Sequence, residues 1–279
     1  PATVNPGQED CDEDGIGDLC DPDYPCNYPP DCSNAAITDR VCDEFCEVPI
    51  SGADVTGLTD PDGDPLSVSV YPVNLSLGAN DVDVTASDGL EECQTLVVVK
   101  VTDEMSPAIA CPADITVEST GAAGATVAYP APEGTDNCVG AATVQTSGLG
   151  PDALFPIGIT EEAWTVTDGS GNEATCAFTV KVLSSKEVVS DLVSRINDLF
   201  ASGILSGLDA GSLISSLTLA MDKLAASPPL APACNQLSSF IKEVNKYVKA
   251  GKLTAVEGAG LEVSALNAGR TAVCSGGSY

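Results

Sequence analysis

Histidine is absent from this sequence, and residues that carry a positive charge or an aromatic ring are few. There are 11 Lys and Arg residues against 41 Asp and Glu, and aromatic residues make up 4% of the chain. Without histidine, Ser-His-Asp and Cys-His catalysis and histidine metal sites are excluded. Carboxylate mechanisms such as glycoside hydrolysis stay open, but they normally use an aromatic-lined cleft. We therefore predict that the protein is not an enzyme.

The shortage of positive charge also limits the partners. The formal net charge is −30, whereas phosphate binding needs clustered Lys and Arg. We expect no nucleic acid partner, and a cation is the natural one. No apolar run reaches the ~18 residues that a membrane helix needs, so we predict no membrane span.

Cysteine, in contrast, is abundant. Twelve cysteines lie at scattered spacings rather than in paired C-x-x-C motifs. This pattern is typical of disulfides in an oxidising compartment, so we predict an extracellular or cell-surface protein. The chain starts at Pro1 with no basic and apolar leader, and we expect a mature secreted chain.

Charge and periodicity divide the chain into regions. From Ser184 onward the charges balance, eight acidic and eight basic, so the whole excess of negative charge precedes Ser184. The fold class that we predict is multidomain, β + α, with an irregular calcium-binding segment, two tandem immunoglobulin-like β-sandwiches and a C-terminal four-helix domain of two αα-hairpins. The predicted boundaries are 1–31, 32–103, 104–183 and 184–279.

The two predicted sandwiches share a repeated pattern. "LGANDVDVTASDGLEECQTLVVVKVTD" is similar to "IGITEEAWTVTDGSGNEATCAFTVKVLS", which matches Gly78 to Gly158 and Cys93 to Cys176. The alternating apolar residues and the turn residues between them are typical of sandwich strands. Trp164 alternates with Val166, which favours core packing over ligand stacking.

The last region changes to a helical period. Apolar residues recur at 3.6-residue spacing in four stripes, which predicts four helices. "ASGILSGLDAGSL" is similar to "KAGKLTAVEGAGL", so that in each copy a glycine ends one helix and Ser206 or Thr254 caps the next. Antiparallel neighbours bring the start of the third helix close to the end of the fourth, so we pair Cys234 with Cys274.

The densest acidic stretch is "DCDEDGIGDLCD". Its oxygen donors follow the order of an EF-hand calcium loop, with a glycine at position 6. The predicted ligands are Asp10, Asp12, Asp14, Ile16 through its carbonyl, Asp18 and Asp21. Position 12 is Asp rather than Glu, prolines flank the loop, and two cysteines lie inside it. The alternative is a solvated acidic linker.

Those departures resemble the thrombospondin type 3 repeat, whose pattern D-x-D-x-D-G-x-G-D-x-C-D is matched at every position. The resemblance covers about residues 8–32 and implies one or more Ca²⁺ ions in a disulfide-linked string with almost no hydrophobic core.

Two further acidic groups are weaker calcium candidates. Asp60, Asp62 and Asp64 in "TDPDGDP" are alternate carboxylates, and the alternative is an ordinary polar turn. Asp103 and Glu104 could supply ligands between the sandwiches, although a solvated linker is the preferred interpretation.

The stretch from "SPAIACPADITVES" to "TCAFTVKV" resembles a hyalin repeat, an immunoglobulin-like extracellular module. The elements that carry the resemblance are Cys111-Pro112, Asp136-Asn137-Cys138, Phe155-Pro156-Ile157-Gly158, Asp168, Gly171-Asn172 and Cys176. It implies a Cys111–Cys176 disulfide and a role in adhesion or spacing. By analogy, Cys93 should pair with an early cysteine such as Cys32. Cys42 and Cys46 are expected to pair locally, and Cys138 has no obvious partner.

The C-terminal region resembles the FIMAH domain of secreted prokaryotic proteins, through "INDLFASGILS", "LAMDKLAAS" and "NQLSSFIKEVNKYVKAGKLT". One helix carries a basic stripe of Lys242, Lys246, Lys249 and Lys252. A solvated helix face is one interpretation. The negative charge elsewhere favours another, in which copies bind head to tail.

These patterns together predict an extracellular structural protein that self-assembles into a filament or surface layer stiffened by Ca²⁺ and disulfides. The alternative is a non-catalytic adhesion or accessory module of a larger secreted enzyme or adhesin. In that case cell-surface glycans or proteins are the partners.

Overall fold

The computed structural model describes residues 27–225, 231–272 and 274. These residues form two compact units. Unit 1 takes the described residues up to Pro107 together with the segments Asp136–Ala141 and Thr167–Asn172. Unit 2 takes Ala108–Thr135, Ala142–Val166 and the described residues from Glu173 onward. The acidic loop Asp10–Asp21 lies outside the described residues.

Unit 1 is built on a sheet whose strands alternate between buried and exposed side chains. The strands of the unit are β1 (Arg40–Val41), β2 (Val48–Pro49), β3 (Ser67–Tyr71), β4 (Asn74–Leu75), β5 (Gly78–Ser87) and β6 (Glu92–Thr102). The order in the main sheet is β1-β6-β5-β3, and β2 pairs with β4. In β5, Val82 and Val84 are fully buried whereas Asp81 and Asp83 face solvent, as a strand period of two requires.

The second sandwich repeats this plan. Its strands are β7 (Ala108–Ile109), β8 (Ile115–Glu118), β9 (Ala125–Val127), β10 (Gly134–Thr135), β11 (Ala142–Ser147), β12 (Ala153–Phe155), β13 (Gly158–Thr167) and β14 (Glu173–Leu183). The main sheet has the order β11-β13-β14-β8, and β12 pairs with β9 and β10 with β7. In each sandwich an early strand runs parallel to the last one, β1 beside β6 and β8 beside β14. The internal duplication predicted from sequence therefore extends to the topology.

Four helices follow, as the sequence periodicity predicts. They are α1 (Ser185–Ala201), α2 (Gly207–Ala225), α3 (Ala231–Lys249) and α4 (Ala255–Thr271). Ser184 and Thr254 cap α1 and α4, each in a capping box with a glutamate three residues later. The four apolar faces meet in one core whose largest members include Leu192, Leu213, Leu237, Phe240 and Leu261. The predicted fold class, two β-sandwich-like sheet domains followed by four packed helices, is confirmed.

Within unit 2, α4 packs against the end of β8 through polar contacts. Ser264 Oγ donates to Glu118 Oε1, and Asn267 Nδ2 donates to Glu118 Oε2 at 2.9 Å. The Thr271 and Ser119 hydroxyls share a buried hydrogen bond. In the part of the chain that the structure describes, none of the helices combines the length and apolar character that a membrane span needs.

Candidate functional site

Three disulfides each close one of the folded modules. Cys32 is bonded to Cys93 in the first sandwich, Cys111 to Cys176 in the second, and Cys234 to Cys274 in the helical region. These are the partners that the sequence analysis named. The separations of 61, 65 and 40 residues close long loops, which is where a cross-link restricts the unfolded chain most.

The expected local pairing of Cys42 with Cys46 is wrong. Cys46 is bonded to Cys138, 92 residues away, and Cys42 is a buried thiol. Cys42 Sγ lies 3.5 Å from Cys138 Sγ, beside the bond rather than in it. Cys138 belongs to the segment Asp136–Ala141, which is part of unit 1, and its side chain packs in the core of the first sandwich. Burial, followed by the nearby charge of Asp103, raises the pKa of Cys42.

Two carboxylates meet at the same place. Ligand atoms of Asp103, Asp136 and Cys138 all lie within 4.8 Å of one another. Asp103, at the end of β6, is 4% exposed. One oxygen of each carboxylate, Asp103 Oδ2 and Asp136 Oδ1, is buried without a hydrogen-bond partner. The amide oxygen of Asn137 is also buried without a hydrogen-bond partner. We name Asp103, Asp136 and Asn137 the junction cluster.

The remaining atoms of the junction cluster are held in place by hydrogen bonds. Asp103 Oδ1 accepts from Met105 N at 3.0 Å, and Asp136 Oδ2 accepts from Cys138 N at 2.9 Å. Asn137 Nδ2 donates to the carbonyl of Asp43. Each side chain is thus oriented by one end and has an unsatisfied oxygen at the other.

The loop between β13 and β14 reaches the same region of unit 1. Asn172 Nδ2 donates to the carbonyls of Asp103 and Met105 and to Asp168 Oδ2, at 2.8 to 3.1 Å. Burial alone raises the pKa of Asp168, but donors from Asn172, Ser170 and Gly171 outweigh it and hold that pKa below its usual range. Gly171 has a φ of 94°, which favours glycine in this turn.

The atoms of this region that could coordinate a metal ion are oxygens. Cys42, Cys46 and Cys138 also form a group of three potential ligands, but the Cys46–Cys138 bond removes two thiolates. Metal-binding cysteines coordinate as thiolates, so Asp103 and Asp136 are the residues that could hold an ion. Sequence analysis named Asp103 only as a weak candidate and did not assign Asp136 a ligand role, although both positions were marked by the acidic linker and the D-N-C motif.

Asp60, Asp62 and Asp64 form a different structure. Asp60 Oδ1 accepts from the backbone amides of Asp62, Gly63 and Asp64 at 2.9 to 3.1 Å, which is the pattern of a polar turn. Asp62 Oδ2 accepts from Tyr28 N at 2.6 Å. Among the described residues these three carboxylates are not a group of close ligand atoms, and calcium binding there stays a prediction.

The prediction that one helix carries all four lysines is wrong for Lys252, because α3 ends at Lys249 and Lys252 lies in the connection to α4. Lys252 Nζ forms an ion pair with Asp209 at 2.7 Å and lies 5.1 Å from the centre of the Tyr247 ring. It therefore ties the start of α2 to the connection between α3 and α4. Lys242, Lys246 and Lys249 are exposed, and in the described ranges none of them forms an ion pair.

Comparisons with known proteins place one module. Residues 102–182 match the model of the HYR domain, that is, the hyalin repeat. The chain is similar to the Sushi, von Willebrand factor type A, EGF and pentraxin domain-containing protein 1 of Rattus norvegicus, with 36% identity over 91 residues, and to that of Mus musculus, with 37% over 92 residues. Each alignment covers 32% of this chain and only 3% of the relative. Disulfide-bonded HYR domains are typical of extracellular proteins of the adhesion type.

Among solved structures, similar chains include human protocadherin-24 EC1-2, with a TM-score of 0.30 and 14% identity over 56% of this chain and 99% of that one. Drosophila N-cadherin EC1-4 has a TM-score of 0.29 and 10% identity over 56% of this chain and 50% of that one.

Proposed function

We propose that the protein is a non-enzymatic extracellular structural protein of the adhesion type. The observation that carries the proposal is the HYR module at residues 102–182 within a chain whose three modules are each closed by a disulfide. Long-range disulfides suit an oxidising compartment, and each stabilises its module by restricting the unfolded chain.

The finer proposal is that copies assemble head to tail into a filament or a surface layer that calcium stiffens. It is supported by the thrombospondin type 3-like loop Asp10–Asp21 in the sequence and by the three exposed lysines of α3, on a FIMAH-like module, in a chain of net charge −30. Each bound Ca²⁺ would offset two negative charges and reduce the repulsion between copies.

Electron microscopy of the purified full chain in Ca²⁺ and in EGTA tests this assembly. We expect filaments or sheets with Ca²⁺ and dispersed protein after chelation. A Lys242→Gln/Lys246→Gln/Lys249→Gln variant should lose assembly, whereas the control Lys223→Gln, an exposed lysine of α2, should keep it. Monodisperse monomers under every condition would exclude self-assembly.

A second candidate is an accessory or adhesion module of a larger secreted enzyme or adhesin. The observation that favours it is that the stretches similar to this chain, 91 and 92 residues long, make up only 3% of the two relatives. A catalytic domain encoded in the same reading frame, together with binding of the chain to glycans or surface proteins, is the expected result under this alternative.

A further inference from the structure

We propose that the junction cluster is a second calcium site, in which Asp103 and Asp136 are the charged ligands. The inference rests on the proposed function for the choice of calcium. The junction cluster is far in sequence from the loop Asp10–Asp21, so an experiment can exclude calcium at one of these two sites and leave the other.

The first support is where the unsatisfied atoms lie. Five side-chain nitrogen or oxygen atoms among the described residues are buried without a hydrogen-bond partner. Three of them belong to the junction cluster, namely Asp103 Oδ2, Asp136 Oδ1 and Asn137 Oδ1. All three are oxygens, and native proteins seldom leave such atoms unpaired. The Cys42 thiol also contacts the Asp103 carboxylate, but Asp103 Oδ2 and Asp136 Oδ1 are left without a partner, and unpaired acceptors of this kind are what a cation site presents.

The second support is charge. Two carboxylates that approach within 4.8 Å out of solvent repel each other unless a positive charge lies between them or one is protonated. The described part of unit 1 contains two basic residues. Arg40 is paired with Asp54 at 2.6 Å, and Lys100 lies exposed on β6. Asp168, which Asn172 connects to the Asp103 carbonyl, adds a further negative charge to this region.

The chemistry of the donors selects the ion. Carboxylate and amide oxygens are hard ligands, which Ca²⁺ and Mg²⁺ prefer over the thiolates that zinc uses. Cys138, whose sulfur lies within 4.8 Å of the two carboxylates, is in a disulfide. Ca²⁺ accepts irregular sets of side-chain and backbone oxygens, whereas Mg²⁺ demands a near-octahedral set. The two carboxylates come from the end of β6 and from the segment Asp136–Ala141, and Ca²⁺ tolerates ligands that separate segments supply in an irregular arrangement.

Calcium here would complete a cross-link that the disulfide begins. The Cys46–Cys138 bond already fixes the segment Asp136–Ala141 to the core of unit 1. An ion held by Asp103 and Asp136 would join the same segment to the end of β6. We therefore expect calcium to increase the local stability of the end of β6 and of the segment Asp136–Ala141.

Native mass spectrometry of metal-stripped full chain, titrated with Ca²⁺, tests the site. We expect Asp103→Asn and Asp136→Asn each to bind one ion fewer than the unchanged chain. The control Glu92→Gln, which replaces an exposed carboxylate at the start of β6, should bind the full number. A Asp10→Asn/Asp12→Asn/Asp14→Asn variant should keep the junction ion, so loss of the N-terminal site alone leaves the inference standing.

Hydrogen exchange on the unchanged chain tests the calcium site without any substitution, so the result does not depend on whether the variants fold. Calcium should slow exchange in peptides that cover residues 101–105 and 136–141. Equal exchange with and without Ca²⁺ in both peptides would overturn the proposal. It would also be overturned if these peptides responded only to acid, which indicates a shared proton, or if an ion bound only after disulfide reduction, which indicates a thiolate metal site.

Discussion

The hydroxyl of Tyr129 donates a 2.6 Å hydrogen bond to Oε2 of Glu162, and Glu162 has no exposed surface. Gln145 Nε2 and the backbone amides of Leu149 and Gly150 also donate to this carboxylate, at 2.7 to 2.9 Å. Burial, followed by the charge of Glu162, raises the pKa of Tyr129, so its hydroxyl stays a donor. A buried carboxylate with four donors organises this end of the second sandwich.

Replacing Glu162 with Ala should strongly destabilise that sandwich. The substitution removes the acceptor of four donors, of which Tyr129 and Gly150 are buried, and we expect it to lower the free energy of unfolding by about 3–5 kcal/mol. Trp164, the single tryptophan, is 8% exposed on the same strand and reports the transition by its fluorescence in urea. Glu161→Gln, at an exposed neighbouring position, should change the value by less than about 0.5 kcal/mol. Equal stability of the two variants would contradict the role given to Glu162.

Gly124 is required by its conformation and by its surroundings. Its φ is 121°, and a Cβ there would overlap the carbonyl of Phe155 on the paired strand. We expect Gly124→Ala to cost about 3 kcal/mol or more, because backbone atoms must move to admit it. Gly121, on the other side of the same turn, has open space around it, and Gly121→Ala is the matched control. Thermal unfolding followed by Trp164 fluorescence should show a lower midpoint for Gly124→Ala only.

How much of this could be predicted differs from one feature to the next. The capping box at Thr254 was predicted because every participating residue lies within one helical turn. The Cys46–Cys138 bond was not, because it joins segments 92 residues apart whose approach depends on the folding of unit 1. Distance in the chain was not the only limit, because the Cys32–Cys93 and Cys111–Cys176 bonds, 61 and 65 residues apart, were predicted through the hyalin-repeat resemblance and the internal duplication.

The burial of Glu162 could be predicted from the sequence, but its hydrogen-bond partners could not. The strand alternation that faces Trp164 and Val166 inward also places Glu162 on the buried side. A carboxylate at a core position demands donors, but those donors come from residues 129, 145, 149 and 150, on other strands and loops. Its burial was thus predictable, whereas its partners were not. Asp103 and Asp136 are a similar case, since each carboxylate is visible and only the fold brings them together.

Cys42 should be an unreactive thiol in the folded protein. Alkylation proceeds through the thiolate, and burial together with Asp103 raises the pKa of this group. We expect slow labelling of Cys42 by iodoacetamide under native conditions and rapid labelling in guanidinium without reductant. Chymotryptic cleavage after Phe45 separates Cys42 from Cys46, so peptide mapping should show Cys46 linked to Cys138. Fast native labelling, or a peptide that links Cys42 to Cys46, would contradict this assignment.

Glu187 makes the capping of α1 dependent on pH. Its carboxylate accepts from Lys181 Nζ at 2.8 Å and from the amide and hydroxyl of Ser184. Lys181, followed by Ser184, lowers the pKa of Glu187 from 4.5 to about 2. Because the pKa is lower in the folded state, the stabilisation is complete above about pH 4.5 and is lost as the pH falls through about 2.

The pH dependence should therefore distinguish Glu187→Gln from the unchanged chain. The side chain is 42% exposed, so solvent screens the interaction and we expect a difference of at most about 1 kcal/mol near neutral pH. Thermal unfolding followed by far-ultraviolet circular dichroism should show this difference shrinking between about pH 4.5 and pH 2, since protonation then does to Glu187 what the substitution does. Asp222→Asn, which removes an exposed carboxylate of α2, should show no such convergence. A difference for Glu187→Gln that stays constant down to pH 2 would mean that Glu187 caps α1 through its shape and not through its charge.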